Sequence, residues 1–476
     1  MPQKPVQFPC GELPADPALA RLLGLYPQRQ EGLWMQRLKL VGGRLSGAQW
    51  RALADIARQF TPAEPLHLTT RQDVEIHGLS AETVPLAQAA LAAAGMTGLG
   101  ACGDTPRNVT VCPESGVRAG AADLHDLARR IREMLEATPG VWSLPRKFKI
   151  SLSACPRACA QPWINDLGLI LTQREGRRGF RAIVGGSLGA KPGTGMELLD
   201  FVPPGEVLPL VAAAVDLFAE SGDRTNRSRA RLRHVRERMG DAAFAEALKS
   251  RFEAFRRRAG WPEIELPASS DGLPDRAVLT FPNGDVSADA AEALGELCEA
   301  GTGETPVRPT GKMPVLQKSD GPDTAVRIDN QHRISVFGRE PSLRSAVGRS
   351  AALRIAAVIQ PSVVACPGSR WCSRGLADTN AVADRLRGEL AGVLAPEATV
   401  CISGCPNGCA QHAVADVGLS GRRTKGPDGQ PREVFDVTVG GGMGRNDRLG
   451  QVVAGKVPPE RLAETIRAAM KGAVAE

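Results

Sequence analysis

The chain is organised around two cysteine motifs, Cys366-Pro-Gly-Ser-Arg-Trp-Cys372 and Cys401-Ile-Ser-Gly-Cys405-Pro-Asn-Gly-Cys409. The first motif separates its cysteines by five residues, and the second ends in a pair separated by three. Four thiolates that folding brings together form a site for a soft metal centre. Structural zinc sites usually place about two to four residues between paired cysteines, so the wider gap favours an iron–sulfur cluster over zinc. Four buried structural cysteines are the plain alternative, because free cysteine is among the most buried residue types.

The residues around these cysteines support a metal centre. Pro367 and Pro406 each follow a cysteine, where proline fixes the local backbone and leaves neighbouring N–H groups to donate to sulfur. Cys401 also forms a three-residue spacing with Cys405, so spacing alone does not separate it from the ligands.

The composition predicts a protein of two or three domains. Its 476 residues contain no run of about 18 uncharged apolar residues and no signal-peptide pattern, so we expect no membrane span. Eleven cysteines clustered by motif argue against a disulfide framework and predict a reducing compartment, the cytoplasm. The net charge of +7 suits an anionic ligand, an acidic protein partner or nucleic acid, but the 4% aromatic content disfavours base stacking.

An internal repeat sets the domain organisation. Residues 37–78 and 278–338 each begin with an apolar run and a glycine turn, continue through a helical pattern and end in an alternating strand. Gly43 aligns with Gly284 at an offset of 241 and Gly78 with Gly338 at an offset of 260, so the second copy has 19 more residues. These fall in an aperiodic Gly/Pro/Thr-rich segment, which predicts a surface insertion at about 301–323.

The cysteine motif is repeated as well. Residues 153–161 (SACPRACAQ) match residues 403–411 (SGCPNGCAQ), and Asp166 and Asp416 follow at the same distance. The first copy has Arg118 where the second has a cysteine, so it keeps only three of the four motif cysteines: Cys112, Cys155 and Cys159. Cys102 has no counterpart in the second copy. We therefore predict one cluster per chain, because a cubane normally needs four thiolates.

These motifs resemble those of the siroheme-containing sulfite and nitrite reductases of the ferredoxin-dependent assimilatory type. The resemblance extends over nearly the whole chain. It implies that the cluster ligands are Cys366, Cys372, Cys405 and Cys409, with Cys409 bridging the [4Fe–4S] cluster to the siroheme iron.

The resemblance also implies an α+β fold, with one pseudo-symmetric ferredoxin-like domain and two α/β domains. We expect the following segments: ferredoxin-like half-domains at 1–80 and 275–345, α/β siroheme domains at 81–222 and 346–476, and a basic helical linker at 223–274.

Four basic residues of the first copy are implied to surround the oxyanion substrate: Arg71, Arg107, Lys147 and Lys149. In Lys147-Phe148-Lys149, strand alternation places both ammonium groups on one face. Taken alone, such a pattern is more often a solvent-facing basic strand. Many nitrite reductases have asparagine at the position of Lys149, so the lysine favours sulfite.

Two residues are further predicted to contact siroheme, because Gln331 aligns with Arg71 and Arg327 aligns with His67 in the repeat. The chain has no flavin or nicotinamide motif, so we expect an external donor, and an acidic ferredoxin suits the positive net charge.

The predicted function is therefore the six-electron reduction of sulfite to sulfide. Nitrite reduction to ammonia by the same machinery is the nearest alternative. A monooxygenase like precorrin-3B synthase is disfavoured by the basic quartet, because a corrinoid is not a small oxyanion. A zinc-stapled nucleic-acid-binding protein is disfavoured by the duplicated units and the low aromatic content.

Overall fold

The computed structural model describes residues 12–267, 273, 275–299, 324–339, 342–357, 362–395 and 397–472. The predicted insertion at about 301–323 lies outside these residues. Helices and sheets of mixed strand direction alternate along the described chain, which confirms the predicted α+β class. None of the described helices has the length and apolar character needed to cross a bilayer.

The helices are α1 Pro17–Leu22, α2 Gly47–Phe60, α3 Thr83–Ala93, α4 His125–Glu136, α5 Val207–Ser221, α6 Leu232–Met239, α7 Asp241–Arg256, α8 Ala288–Glu299, α9 Ser342–Gly348, α10 Ala351–Ala356, α11 Gly368–Trp371, α12 Thr379–Glu389 and α13 Leu462–Gly472. The strands are β1 Leu25–Pro27, β2 Trp34–Arg37, β3 Leu66–Leu68, β4 Val74–Leu79, β5 Pro106–Val111, β6 Phe148–Ser153, β7 Leu167–Arg174, β8 Arg177–Val184, β9 Met196–Val202, β10 Asp275–Thr280, β11 Asp285–Val286, β12 Thr324–Ile328, β13 Arg333–Gly338, β14 Ser362–Ala365, β15 Thr399–Ser403, β16 Val417–Lys425, β17 Pro431–Val439 and β18 Gln451–Val457.

Two sheets of the described chain have the same topology, one in each copy. Their strand orders are β5-β6-β7-β8-β9 and β14-β15-β16-β17-β18, with the first three strands of each parallel and the last two antiparallel to their neighbours. The repeated aspartates make the same contact. Asp166 accepts a hydrogen bond from the Lys149 N–H at 2.7 Å, and Asp416 accepts one from the Thr399 N–H at 3.0 Å. The sequence repeat is therefore also a structural repeat.

The ferredoxin-like parts of the two copies are joined through a shared sheet and a helix pair. Strand β3 of the first copy pairs with β11 of the second, within the order β1-β2-β4-β3-β11. Helix α2 begins at a capping box formed by Ser46 and Gln49, and its buried face carries Trp50 at 1% exposure. Helices α2 and α8 pack closely enough that a Cβ on Gly47 would lie 2.7 Å from the Gly295 carbonyl oxygen.

The predicted alternating strands at the end of each ferredoxin-like repeat are in fact hairpins. Strand β3 turns into β4, and β12 turns into β13, with antiparallel pairing in both cases. Gln72 and His332 occupy equivalent turn positions with φ of 61° and 56°, a left-handed conformation that a continuous strand cannot contain. Asp329 stabilises the second turn by accepting hydrogen bonds from the Gln331 and Arg333 N–H groups. The alternating pattern of apolar and polar residues in the sequence predicts one strand, so it did not reveal the turn.

Candidate functional site

Parallel strand pairing brings the two cysteine motifs of the second copy together. Strands β14 and β15 are parallel, with Ala365 opposite Ile402, so the loops that follow them leave the same edge of the sheet. Burial raises the pKa of the Cys366 and Cys405 thiols, and partial desolvation by the surrounding loops raises that of the more exposed Cys372. Cys409 raises each pKa further because neighbouring thiolates repel. Four thiols therefore lie within electrostatic range of one another: Cys366, Cys372, Cys405 and Cys409.

Amide groups surround these sulfur atoms. The Gly404 N–H donates to Cys366 Sγ at 3.2 Å, the Arg374 N–H donates to the Cys372 thiol, and Asn407 donates to Cys405. Each of these hydrogen bonds lowers the thiol pKa against burial and favours the thiolate that ligates iron. The described residues contain no group of three or more His, Cys, Asp or Glu placed to hold a single metal ion. A cubane instead needs one thiolate on each of its four irons.

Cys401 is set apart from this group. It lies inside β15, opposite Val364, and is 1% exposed. Burial raises its pKa, and the next contributions come from Asp416 and Arg333 rather than from another thiol. The geometry thus distinguishes Cys401 from the four cysteines, which its spacing did not.

Lys147 and Lys149 stand side by side at the start of β6. Phe148 between them is fully buried in the core, so both lysines point to the opposite side of the strand. Burial, then Arg231 and Arg107, lowers the pKa of Lys147 to about 7, while nearby Cys409 acts in the opposite direction. Burial, Arg71 and Lys147 hold the pKa of Lys149 well below its usual range. Both lysine side chains are half-buried and have no ion-pair partner among the described residues, so an anion bound between them would favour their charged form.

Arg231 belongs to this basic group although the sequence pattern did not single it out. Its Nη2 donates to Asp166 Oδ2 at 2.6 Å, and both side chains are buried. The same carboxylate accepts the Lys149 N–H, so Asp166 fixes the linker residue against the lysine strand. The sequence predicted a basic helical linker in this region, but helical spacing does not reveal which arginine turns inward.

The two predicted arginines of the oxyanion site are held by different partners. Arg71 Nη1 donates to Asn165 Oδ1 at 2.8 Å, and burial lowers the Arg71 pKa to about 10. Arg107 donates to the Ala101 and Gly103 carbonyls, and its positive charge lowers the pKa of both Arg71 and Lys147. The four predicted basic residues therefore influence one another's pKa, and of the four Arg71 and Lys149 line a cavity together with Cys409, whereas Arg107 and Lys147 do not.

Arg37 lies beside Arg107 and was not predicted. Its Nη1 lies 3.4 Å from Cys102 Sγ, and its Nε donates to Glu75 at 2.8 Å. Cys102 is fully buried and acts on the pKa of both arginines. In the sequence, Arg37 is the basic residue that begins the first repeat, and nothing there distinguishes it from an ordinary arginine at the end of a strand.

Two cavities lie between the copies and share Gln161. The smaller is lined by Arg71, Lys149 and Cys409 among others. The larger is lined by Cys159, the first-copy counterpart of Cys409, among others. At the boundary, the amides of Gln161 and Gln411 bond reciprocally at 2.6 and 2.7 Å. The repeated Cys-Ala-Gln sequence pointed to this pair, which the sequence analysis overlooked.

The two residues predicted to contact siroheme, Gln331 and Arg327, do not line the smaller cavity that contains Arg71, Lys149 and Cys409. Gln331 lines the larger cavity and donates to Thr399 Oγ1 at 3.3 Å. Arg327 is buried in β12 beside His125, whose pKa it lowers. Their assignment to siroheme stays a prediction.

The side chains around Cys409 fit the groups that the resemblance implies. Four thiols with N–H donors match the ligand set of a [4Fe–4S] cluster. In the smaller cavity, Arg71 Nε is buried without a hydrogen-bond partner, and the Lys149 ammonium faces the same space. Such unpaired cationic donors suit a cofactor that carries ring carboxylates and a substrate that is an anion.

Comparison with protein-family models supports this chemistry. The model described as "Nitrite and sulphite reductase 4Fe-4S domain" matches residues 102–254 and 361–471. The model described as "Nitrite/Sulfite reductase ferredoxin-like half domain" matches residues 26–94. The first of these matches alone covers more than half of the chain.

Individual relatives agree with the family models. The chain is 31% identical to a sulfite reductase [NADPH] hemoprotein beta-component of Acidithiobacillus ferrooxidans, over 94% of this chain and 83% of that protein. It is 30% identical to an assimilatory ferredoxin-dependent nitrite reductase of Haloferax mediterranei, over 93% of this chain and 80% of that protein. The solved structure of the Mycobacterium tuberculosis NirA protein matches with a TM-score of 0.78 and 26% identity, over 95% of this chain and 86% of that one.

Proposed function

The chain belongs to the nitrite and sulphite reductase 4Fe–4S family, and from this premise we propose that it reduces sulfite to sulfide. It is an oxidoreductase, and its cofactors are a [4Fe–4S] cluster and siroheme. We assign the cluster to the four grouped thiols of the second copy and the bridging role to Cys409, whose side chain lines the cavity that also contains Lys149.

The observation that carries the choice of sulfite is the pair Lys147 and Lys149. Lys147 lowers the pKa of Lys149, and Arg71 and Arg231 add further positive charge around the pair. An anion between them removes this repulsion, and a dianion removes more of it than a monoanion. Sulfite is a dianion when fully deprotonated, whereas nitrite carries a single charge.

The protein's own residues bind the oxyanion, orient it and move protons. The bound cofactors would pass the six electrons one at a time from the external donor, because no ordinary side chain transfers electrons. Arg71, Arg107 and Lys149 stabilise negative charge on the oxygens. Lys147, with a pKa of about 7, is poised to donate a proton to a departing oxygen near neutral pH.

An acidic ferredoxin is the proposed electron donor. Cys372 is exposed, so the proposed cluster site reaches the surface there. Exposed arginines surround it: Arg29 donates to the Cys372 carbonyl at 3.2 Å, and Arg423 donates to the Leu376 carbonyl at 3.1 Å. Basic residues around a redox centre attract an acidic electron donor and repel a basic one. We place this exchange in the cytoplasm, because the clustered cysteines suit a reducing compartment.

Nitrite reduction to ammonia is the second candidate. Several relatives are named ferredoxin–nitrite reductase, including those of Arabidopsis thaliana and Haloferax mediterranei. The same basic residues also bind a monoanion, so the two activities differ in relative rate and not in the residues and cofactors that carry them out.

The pKa of Lys147 predicts how anion binding depends on pH. A bound anion favours the ammonium form and raises this pKa above the free value of about 7. Binding therefore takes up a proton above pH 7, and KM for nitrite should rise by up to about tenfold per pH unit there. Nitrite is the right probe, because its own charge is constant over this interval.

Steady-state assays between pH 6.5 and 9 with a reduced viologen dye as donor measure this dependence. Lys147→Gln is the matched control, and its KM should be high and nearly independent of pH. A wild-type KM that stays constant from pH 7 to 9 would contradict the role given to Lys147.

The proposed function is tested by metal analysis and by paired activity assays. We expect about five irons and about four acid-labile sulfides per chain, from one cluster and one siroheme, with a green-brown visible spectrum. Sulfite should be the better substrate by kcat/KM. About eight cluster irons would refute the single cluster, and a higher kcat/KM for nitrite would refute the substrate assignment.

A further inference from the structure

The degenerate motif of the first copy leaves three thiols close together. Cys112 follows β5, while Cys155 and Cys159 lie in the loop after β6, which runs parallel to β5. Each of the three thiols lies near enough to the other two to shift their pKa. At the position equivalent to Cys372, the first copy has Arg118, whose side chain is 53% exposed and forms an ion pair with Glu114. The trio therefore lacks the fourth thiolate and is not explained by the proposed cluster.

Cys159 is the thiol of the trio that is suited to react. It is half-buried and lines the larger cavity, which opens to solvent, so a small reagent can reach it, whereas Cys112 is fully buried. The neighbouring thiols of Cys112 and Cys155, followed by the charges of Arg445 and Arg157, hold the Cys159 pKa well below its usual range. Both arginines are exposed, and Arg445 is another residue of the cavity wall. An accessible thiolate with neighbouring thiols is the arrangement of redox-reactive cysteines.

We propose that Cys159 is an oxidation site, at which low-molecular-weight disulfides convert the Cys112–Cys155–Cys159 trio into one protein disulfide and one free thiol. The Cys159 thiolate attacks one sulfur of the small disulfide, forms a mixed disulfide and releases the other half as a thiolate. Cys112 or Cys155 then loses its proton to solvent and attacks Cys159 Sγ, which releases the second half. The protein loses two electrons and two protons, and the small disulfide becomes two thiols.

The first test labels the reduced holoenzyme with iodoacetamide and follows each cysteine by peptide mass spectrometry. We expect Cys159 to react at least about tenfold faster than Cys298, which is buried in α8 and serves as the internal control. Equal rates for the two cysteines would overturn the proposal. No variant is needed, so misfolding cannot confuse this result.

The second test treats the holoenzyme with 2-hydroxyethyl disulfide and maps disulfides under non-reducing conditions. We expect a linkage of Cys159 to Cys112 or Cys155 that dithiothreitol reverses, with the visible spectrum of the cofactors unchanged. Cys159→Ser should abolish the rapid labelling and the mixed disulfide, whereas Cys298→Ser should retain both. The absence of any linkage within the trio would overturn the proposal. So would metal analysis that places a second cluster on these thiols.

Discussion

Replacing Cys372 by alanine should remove the [4Fe–4S] cluster and, with it, all detectable sulfite and nitrite reduction. The variant keeps three thiols of the group, one fewer than a cubane normally requires. The first copy, which has Arg118 at the equivalent position, also keeps three. Cys372 is exposed, so the substitution leaves no core cavity and the apo fold should survive. Iron and acid-labile sulfide analysis measures the loss, and the visible spectrum reports it independently.

Cys401→Ala is the matched control for this experiment. Cys401 precedes Cys405 by the same spacing that separates Cys405 from Cys409, but it lies inside β15 and has no thiol among the groups that shift its pKa. We expect its iron and sulfide content to equal that of the wild type, with a loss of about 1 kcal/mol in stability from the buried truncation. A Cys401→Ala protein without cluster, or a Cys372→Ala protein with one, would show that the ligand set is wrongly assigned.

The repeat and the cysteine motifs were predictable because they are local. The three-residue gap between two cysteines and the recurring Ser-x-Cys-Pro stretch can be read directly from the sequence. Parallel strands then bring the loops that carry these motifs to one edge of a sheet. The hairpin turns at Gln72 and His332 were not predicted, because the sequence pattern predicts one continuous strand, whereas the strands on both sides of each turn are almost entirely buried. Their only local signal is an unusual φ, which the residue types Gln and His do not indicate.

The basic site was only partly predictable, since charge pairing is a property of three-dimensional neighbours. Lys147 and Lys149 were found from strand alternation, which fixes their common face. Arg231 was missed because its role depends on Asp166, 65 residues away. The Gln161–Gln411 pair depends on contact between residues 250 apart. Such pairs follow from the pseudo-symmetric packing of the two copies, and no single segment encodes them.

The pseudo-symmetry also explains why one motif serves two purposes. Asp166 and Asp416 accept equivalent backbone bonds, and Ser153 and Ser403 accept equivalent bonds from Ala160 and Ala410, both at 3.3 Å. The loop geometry is therefore kept in both copies, although the first copy lacks a cysteine. What differs is the surrounding charge: Lys149 has Thr399 as its counterpart in the second copy. We infer that the first copy retained the fold of the loop and specialised in binding the anion.

Lys149→Asn should shift the balance between the two anions, with sulfite reduction losing more than nitrite reduction. The substitution keeps a hydrogen-bond donor and removes one positive charge from a group that includes Lys147, Arg71 and Arg231. Bisulfite loses its proton near neutral pH, so much of the substrate is a dianion, while nitrite stays a monoanion. For a close and partly desolvated contact, the difference should be about 1–3 kcal/mol, or roughly ten- to a hundredfold in relative kcat/KM.

Assays with a reduced viologen dye on both substrates measure this ratio without the ferredoxin. Lys425→Asn is the matched control, because it makes the same chemical change at an exposed end of β16 and should leave both activities unchanged. Equal losses on sulfite and nitrite would show that Lys149 serves proton delivery or folding rather than discrimination. Unchanged activity on both would place Lys149 outside the site and would also remove the argument that Lys147 and Lys149 select a dianion.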